Sequence, residues 1–309
     1  MSDQNIKKNV REFYDRVGWQ RVGEDCFQNA QYEDLRPVAR EYIHRAHMRV
    51  KRHLAQNGRF LLDAGSGPVQ YPEYLTYSEG YQARVCMDIS MTALKEARNR
   101  LGDHGLFVVG DVTNLPFRSE IFDGIVSLHT IHHVPIADKL RSYDELYRTL
   151  NPGKTLVVVN GWINAPLMNW LNGFMHFMKR FHGWWMRKIK GKQLEKDDVV
   201  QHSLIPTAVE EESSVPQGTY VEKLNAEWLT QALAGRMDHQ ILVWRSVSVP
   251  FLRAVFYPEW GGRFWLKVLF WLEERFPHLL GRIGQYPLVV ISKPGDGENK
   301  ETPIAARAV

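Results

Sequence analysis

Short apolar runs alternate with amphipathic segments through the first half of the chain. The runs are "FLLDAG" from Phe60, "ARVCMDIS" from Ala83, "LFVVGD" from Leu106, "FDGIVSLH" from Phe122 and "TLVVVNGW" from Thr155. Runs this rich in Val, Ile and Leu are typical of strands that are covered on both faces. Helices are predicted between them, at Ser90–Leu101 with Ser90 as the N-cap and at Ala137–Leu150 before the helix-ending "NPGK". This alternation predicts an α/β fold with a doubly wound, mostly parallel sheet.

The second half of the chain departs from this rhythm. After Trp162 the next strand is predicted at His239–Val249, behind a helix around Trp228, and the last strand at Tyr286–Lys293. The complete division is an N-terminal helical lid at 1–36, a core at 37–162 that begins with a helix at 37–56, a helical insertion at 163–224, a core helix and strand at 225–249, a second apolar helical insertion at 250–285, the last core strand at 286–293 and a disordered tail at 294–309. An acidic loop is expected at 210–214.

Both insertions contain aromatic helices. In the first, apolar residues recur at helical spacing, and basic residues gather toward its end. The apolar positions are Leu167, Trp170, Leu171, Phe174, Phe177, Met178, Phe181, Trp184 and Trp185. One interpretation is that this helix and the segment 261–276 pack together as a cap over an active site. The other is that the cap also rests on an anionic membrane through 163–192 and 261–276. Either interpretation gives the pocket an apolar roof and favours an apolar or aromatic substrate.

Composition limits the class of protein. The chain has 309 residues, of which 44% are hydrophobic and 24% charged, as in an ordinary globular protein. A net charge of +4 is too small, and too little interleaved along a groove, to predict a nucleic-acid partner. Cys26 and Cys86 form neither a disulfide framework nor a metal motif, so no metal is expected and a reducing cytoplasm is the natural location. The first residues lack a signal-peptide core, and no apolar run is long enough to span a bilayer.

Polar residues and glycines follow the first three apolar runs. They are Asp63, Gly65, Ser66 and Gly67 after the first run, Asp88 after the second and Asp111 after the third. Doubly wound sheets bind ligands at the carboxyl ends of their strands. Glycines let the backbone turn tightly against a ligand. Asp88, 25 residues beyond Asp63, is spaced to accept hydrogen bonds from both hydroxyls of a ribose, and Asp111 is placed for an adenine amino group.

The segments "DAGSG", "MDIS" and "GDVTNLPF" resemble the cofactor site of class I S-adenosylmethionine-dependent methyltransferases. "FDGIVSLHTIHHVP" and "LYRTLNPGKTLVVV" match further motifs of the family in order, over about residues 40 to 160 in all. The resemblance is closest to the quinone- and small-molecule-methylating, type 11 or UbiE-like branch, and "FYDRVGW" is similar to its Tyr-Asp start. Lys154 stands in a turn where the family usually has a second glycine.

The resemblance implies a seven-stranded Rossmann-like sheet and S-adenosylmethionine as cofactor, with S-adenosylhomocysteine as product. It implies that Asp63 contacts the ammonium of the cofactor, directly or through water. Ile89, Val112 and His129 are its further implied cofactor contacts. The chain is thus expected to be a cytoplasmic methyltransferase of a small-molecule acceptor, with or without peripheral contact to the inner face of the membrane.

Gln70 stands where a dinucleotide-binding enzyme has its third glycine. S-adenosylmethionine has no pyrophosphate to lie along a helix N-terminus, so the third glycine is unnecessary for it. A nicotinamide-dependent oxidoreductase is therefore the less favoured enzyme. A catalytically silent methyltransferase-fold subunit, which binds a protein partner through its aromatic helices, is the alternative from a different class.

Methyl transfer needs mainly alignment and desolvation, and for some acceptors a base. Candidates for the base are His129 and His132, followed by His133, because imidazole titrates near working pH. The alternative is that these histidines pack or orient a loop. Tyr14 is a candidate to close over the pocket, or else a packing tyrosine. The sequence leaves open the acceptor atom, the need for a base and the oligomeric state.

Overall fold

The computed structural model describes residues 3–23, 26–29, 33–190 and 219–295, and it contains a large mixed sheet flanked by helices. The strands are β1 Arg21–Gly23, β2 Cys26–Phe27, β3 Gly58–Ala64, β4 Tyr81–Asp88, β5 Gly105–Val109, β6 Gly124–Leu128, β7 Thr155–Val159, β8 Asp238–Arg245 and β9 Tyr286–Ser292. The helices are α1 Asp3–Phe13, α2 Arg40–Lys51, α3 Pro72–Leu75, α4 Met91–Leu101, α5 Ile136–Thr149, α6 Pro166–Lys190, α7 Ala226–Leu233, α8 Val249–Val255, α9 Gly262–Arg275 and α10 Pro277–Ile283.

Seven strands form the main sheet in the order β5-β4-β3-β6-β7-β9-β8. The strands from β5 to β7 are parallel, and β9 runs antiparallel to both of its neighbours. The prediction of a doubly wound, seven-stranded, mostly parallel sheet is confirmed. Successive strand residues alternate between the two faces, so Leu62 and Val85 join one hydrophobic cluster while Leu61 and Cys86 join the other. Helices cover both faces, which explains the uninterrupted apolar runs.

The helices predicted between the strands form close to their expected bounds. The Ser90 hydroxyl accepts a hydrogen bond from the Ala93 N–H at 3.1 Å and so caps α4. The helix predicted at 37–56 is shorter, since α2 covers only Arg40–Lys51. The chain needs the residues after Lys51 as a connection into β3, which begins at Gly58.

The helices of both insertions pack into one hydrophobic cluster that also contains Tyr42 and Ile43 of α2. The buried members of this cluster include Phe251 of α8 and Phe270 of α9. Met168 and Leu171, at the start of α6, pack against it from outside. Each helix therefore buries only part of its apolar surface against the body of the protein.

The N-terminal segment forms α1, a π-helical turn at Tyr14–Gly18 and the short antiparallel pair β1–β2. The acidic loop predicted at 210–214 and residues 296–309 of the predicted tail lie outside the described residues.

Candidate active site

A cleft of about 450 Å³ lies at the carboxyl ends of the parallel strands. All of the residues that were predicted from the sequence to form the site line this cleft. These residues are Tyr14, Asp63, Gly65, Ser66, Gly67, Asp88, Ile89, Asp111, Val112, His129 and His132. His133 also lines the cleft. The topology therefore brings together residues that are far apart in the chain, as expected for a doubly wound sheet.

Two glycines shape the turn that follows β3. Gly65 has φ +74°, and a Cβ added there would lie 2.2 Å from Cγ2 of Thr130. Gly67 has φ +54°, and a Cβ there would lie 3.0 Å from the ring of Trp19. The left-handed conformation and the crowded space both favour glycine. The turn thus lets the loop after β6 and the N-terminal segment approach the backbone closely.

Asp88, at the end of β4, has a carboxylate held by backbone donors. It accepts the N–H of Gly67 at 2.9 Å on one oxygen and the N–H of Ser90 at 2.9 Å on the other. Burial outweighs these hydrogen bonds and raises the pKa of Asp88 to about 6. Carboxylate oxygens have lone pairs beyond those used by the two N–H groups, so the site fits hydroxyl donors such as those of a ribose.

The other two aspartates are paired with cations of the protein. Asp63 is buried and bonded through one oxygen to Nε and Nη2 of Arg84, which is itself fully buried. Asp111 lies 2.7 Å from Nζ of Lys7, on α1. Burial opposes ionisation of Asp111, but hydrogen bonds from Lys7 and from the Thr113 N–H lower its pKa. The sequence did not foresee either ion pair.

The three histidines after β6 are neutral near neutral pH. Burial, then the charge of Arg245, lowers the pKa of His129 to about 3. Burial is also the main cause that lowers the pKa of His132 well below its usual range and that of His133 to about 4. A base works best when its pKa lies near the working pH. This environment does not favour the base role predicted for His129 and His132, and it suits hydrogen bonding by a neutral ring.

Tyr14 forms a hydrogen bond with His133, and not with His129 or His132, which were the first candidates for the base. Its hydroxyl lies 2.7 Å from Nε2 of His133, whose Nδ1 lies 2.7 Å from the carbonyl oxygen of Tyr220. A carbonyl only accepts, so Nδ1 of the neutral ring carries the proton and Nε2 accepts from Tyr14. The Tyr14 ring stacks on Trp19, with their centroids 5.1 Å apart. The N-terminal segment therefore lies against the cleft, as its predicted closing role requires.

The predicted cap differs from what lines the cleft. None of the described residues of α6 or α9 contributes to the lining, whereas α1, Trp19 and the segment 219–223 do, beside the residues at the strand ends. Apolar residues of both helices pack instead in the hydrophobic cluster that contains α2 residues. The apolar cover over the described cleft is supplied by Val10, Phe13 and Trp19.

A buried ion pair in the cleft was missed by the sequence analysis. Arg245, at the end of β8, is 1% exposed, and its Nη1 donates to Oε1 of Glu33. Its guanidinium carbon lies 4.5 Å from the centre of the Tyr286 ring. The sequence did contain an indication of this pair. Arg245 lies inside the apolar run "ILVWRSV", and a charged residue in a buried strand needs a partner.

Within the described ranges, no group of three or more His, Cys, Asp or Glu side chains is arranged to hold a metal ion. Likewise, none of the described helices is long and apolar enough to cross a membrane.

The model of the methyltransferase-domain family Methyltransf_11 matches residues 62–158, which run from the end of β3 almost to the end of β7 and contain most of the cleft's polar residues. These residues form a class I methyltransferase domain. S-adenosylmethionine is the cofactor of this domain. The glycine turn and the half-buried Asp88 carboxylate fit its adenosyl group, and the resemblance read from the sequence motifs is confirmed.

Relatives of the methyltransferase domain include enzymes that differ in acceptor. The ubiquinone/menaquinone biosynthesis C-methyltransferase UbiE of Cereibacter sphaeroides is 34% identical over 122 residues, which cover 37% of this chain and 47% of UbiE. Phthiotriol/phenolphthiotriol dimycocerosates methyltransferase 1 of Mycobacterium ulcerans is 26% identical over 179 residues, covering 54% and 65% of the two chains. The chain thus spans about half the length of the first relative and less than two thirds of the second.

A solved structure resembles this chain in fold. It is phosphoethanolamine N-methyltransferase 1 of Haemonchus contortus in complex with phosphoethanolamine and S-adenosylhomocysteine, with a TM-score of 0.55 and 10% identity. The match covers 98% of this chain and 52% of that one. The likeness supports the Rossmann-like architecture found in the sheet order.

Proposed function

We propose that this chain is an S-adenosylmethionine-dependent methyltransferase that acts on a small acceptor with an apolar or aromatic body. One observation carries the proposal. The cleft that contains the glycine turn and Asp88 also contains His129, Tyr286 and a largely aromatic cover, so a donor and an acceptor have room side by side.

We assign Asp88 to the ribose hydroxyls of the cofactor and the backbone of Gly65 and Gly67 to close contact with it. Asp63 is assigned to the cofactor's ammonium and Asp111 to its adenine amino group, in addition to the bonds these carboxylates already make. When bound, S-adenosylmethionine supplies an electrophilic methyl group on a positively charged sulfur.

The chain's own contribution is alignment and the exclusion of water. Tyr14 and Trp19 cover the cleft, while the neutral rings of His129 and His132 are placed to accept or donate hydrogen bonds to the acceptor. Their lowered pKa values suit orientation of the acceptor better than removal of its proton. This favours acceptors that are nucleophilic without a strong base.

An apolar or aromatic acceptor is supported by the lining and by the relatives. Tyr71, Tyr74 and Tyr286 present rings to the cleft in addition to the aromatic residues of the lid. Two of the relatives are named for a C-methylation in ubiquinone/menaquinone biosynthesis and for methylation of phthiotriol/phenolphthiotriol dimycocerosates, while another is named as a probable tRNA methyltransferase.

Calorimetry with S-adenosylhomocysteine tests the proposal. The protein should bind this product, and Asp88→Ala should weaken binding by about 1–3 kcal/mol because a half-buried, charged hydrogen-bond acceptor is lost. Asp103→Ala removes an exposed acidic side chain outside the cleft lining and serves as the matched control. Binding of NADH instead would favour the oxidoreductase, and binding of neither ligand would favour the silent subunit. Transfer of a labelled methyl group to a panel of quinols and phenols then tests the acceptor class.

We also assign a membrane contact to one face of α6. Trp170, Phe174, Phe177, Phe181 and Trp184 follow one another at intervals of four and three residues, and all are exposed, from 39% for Phe181 to 73% for Trp170. This spacing places them in one stripe along the helix. The helix contains no acidic residue but has Lys179, Arg180, Arg187 and Lys188. Aromatic rings beside basic side chains suit the surface of an anionic bilayer.

Flotation with vesicles tests this contact. The protein should float with phosphatidylcholine vesicles that contain phosphatidylglycerol and should float less with phosphatidylcholine alone. A variant with Trp170, Phe177 and Trp184 changed to alanine should lose flotation. Leu106→Ala with Val109→Ala, which removes exposed apolar side chains on β5, is the control and should float like the unchanged protein. Equal flotation of both variants would rule out the stripe as the contact.

A further inference from the structure

Two cationic side chains line the same cleft without full neutralisation. Arg245 uses Nη1 to bind Glu33, while its buried Nε has no hydrogen-bond partner among the described residues. In a guanidinium group, Nε and Nη2 form a planar edge that matches the two oxygens of a carboxylate. The structure uses this same edge elsewhere, where Nε and Nη2 of Arg36 bind the two oxygens of Asp34.

Lys223 is the second cation. It is half-buried, and within the described part of the chain no carboxylate lies within ion-pairing distance of it. A Cβ added to Gly161 would lie 3.4 Å from Nζ of Lys223 and 3.5 Å from Cε1 of Tyr286, so the ammonium group is a neighbour of the ring. The Arg245 guanidinium also lies against that ring. Both cations therefore border the Tyr286 side of the cleft.

The local charges leave this side of the cleft positive. Glu33 is shared by Arg245 and His47, and His47 also contacts Glu73. The charge of Lys223 acts on all three histidines, where it helps to lower the pKa of His129, His132 and His133, and Arg245 acts on His129 as well. Positive charges that are partly shielded from water, as here, favour the binding of an anionic ligand group.

The position of β8 in the sheet separates Arg245 from the residues assigned to the methyl donor. β8, which carries Arg245, lies four strands from β3, which carries Asp63. At the usual spacing between strands this corresponds to about 19 Å between the two strands. Arg245 is therefore better placed to contact the acceptor than to contact the cofactor.

We infer that the acceptor carries a carboxylate, or a similar compact oxyanion, which Arg245 and Lys223 bind beside Tyr286 while its apolar body lies against the aromatic lining. This inference rests on the proposed methyl transfer, because it concerns the substrate of that reaction. The cofactor has a carboxylate of its own in its amino-acid part, which is the other source of such a group.

Paired ligands of equal shape test the inference on the full chain with S-adenosylhomocysteine bound. The unchanged protein should bind 2-naphthoate about tenfold more tightly than neutral 2-naphthamide, since charge-assisted bonds are stronger than neutral ones. Lys223→Met and Arg245→Met should each remove most of this preference. Arg245→Lys should not restore it fully, because an ammonium group lacks the planar edge. Arg49→Met, which removes another buried, ion-paired arginine outside the cleft lining, should keep it.

A second pair of ligands identifies which carboxylate is bound. S-adenosylhomocysteine has the amino-acid part, and 5′-methylthioadenosine lacks it. If Lys223→Met or Arg245→Met weakened the first but not the second, the cations would hold the cofactor and the inference would be overturned. Equal binding, or no binding, of naphthoate and naphthamide by the unchanged protein would also overturn it. Absence of S-adenosylhomocysteine binding in the unchanged protein would instead reject the proposed function itself.

Discussion

Lys7 on α1 and Asp111 after β5 form an ion pair with 2.7 Å between Nζ and Oδ2, and this pair fastens the N-terminal segment to the cleft. The Lys7 ammonium also donates to the Thr113 hydroxyl at 2.8 Å and lies 3.3 Å from Asp138. These groups are only partly exposed. The contact joins α1 of the lid to the carboxyl ends of the parallel strands, where the adenosyl group is proposed to bind.

Lys7→Met should loosen the lid and weaken the binding of S-adenosylhomocysteine about two- to fivefold, as expected for a partly exposed ion pair. The loss should shrink at high salt, because screening already weakens the pair in the unchanged protein. Calorimetry at low and high salt measures both effects. Lys8→Met is the control, since Lys8 lies exposed on the same helix and, among the described residues, has Glu12 as its one ion-pair partner, 3.9 Å away. An equal loss in both variants would contradict a specific role for Lys7.

Asp88 should make cofactor binding depend on pH. Its pKa in the free protein is raised to about 6, mainly by burial, and ribose hydroxyls bond best to the ionised form. Below pH 6 the ligand must therefore bind to a carboxyl group that first loses its proton. The affinity for S-adenosylhomocysteine should fall up to about tenfold per pH unit below 6 and level off above pH 7.

Asp88→Asn supplies the comparison for this prediction, because an amide does not titrate in that range. Its affinity should be lower than that of the unchanged protein at pH 7.5 and nearly independent of pH between 5 and 7. Calorimetry at several pH values, in buffers of different ionisation enthalpy, also counts the protons released on binding. A pH dependence that survives in Asp88→Asn would assign the effect to another group.

The sheet and the glycine turn were predictable because their signals are local. Each apolar run marks a strand by itself, and the residue after each run must lie at the ligand-binding edge. Ser90 likewise marks the start of α4, because an N-cap contacts only the first residues of its own helix. By contrast, the Arg84–Asp63 and Lys7–Asp111 pairs join side chains from different elements, and no short pattern states which cation meets which carboxylate.

The insertions show the same limit at the level of helices. The spacing of Phe174, Phe177 and Phe181 identified a helix with an apolar face, and α6 contains them. Periodicity does not say what covers that face. The structure leaves these three rings exposed and supplies the cleft's cover from α1 and Trp19 instead.

Gly65→Ala should destabilise the fold more than a positive φ alone explains. A left-handed alanine costs about 1–2 kcal/mol. Contact of its Cβ with Thr130, only 2.2 Å away, should add about 1–3 kcal/mol through overpacking. Gly261→Ala is the matched control, because Gly261 is also left-handed at φ +67° but has no neighbouring atom within 4 Å of the added Cβ. Urea unfolding should therefore rank Gly65→Ala below Gly261→Ala, and equal midpoints would contradict the steric argument.

His47 should make the protein less stable as pH rises above neutral. The ring is 1% exposed and lies between Glu33 and Glu73, 3.4 Å and 3.3 Å from their carboxylates. Burial opposes its charge, but the hydrogen bonds that the charged ring donates to both carboxylates prevail and raise the pKa of His47. A raised pKa means that the charged form stabilises the folded state. This contribution is complete below the unfolded pKa of about 6.5 and is lost as pH rises through the folded pKa.

Thermal unfolding between pH 5.5 and 9 measures this loss. His47→Gln should be less stable than the unchanged protein at pH 6 and should lose less stability on going to pH 9, because the amide carries no charge to give up. His53→Gln is the control, since burial and Arg52 lower the pKa of His53, so its own effect appears as pH falls below 6.5. If His47→Gln kept the full loss above pH 6.5, the buried charge on His47 would not be its source.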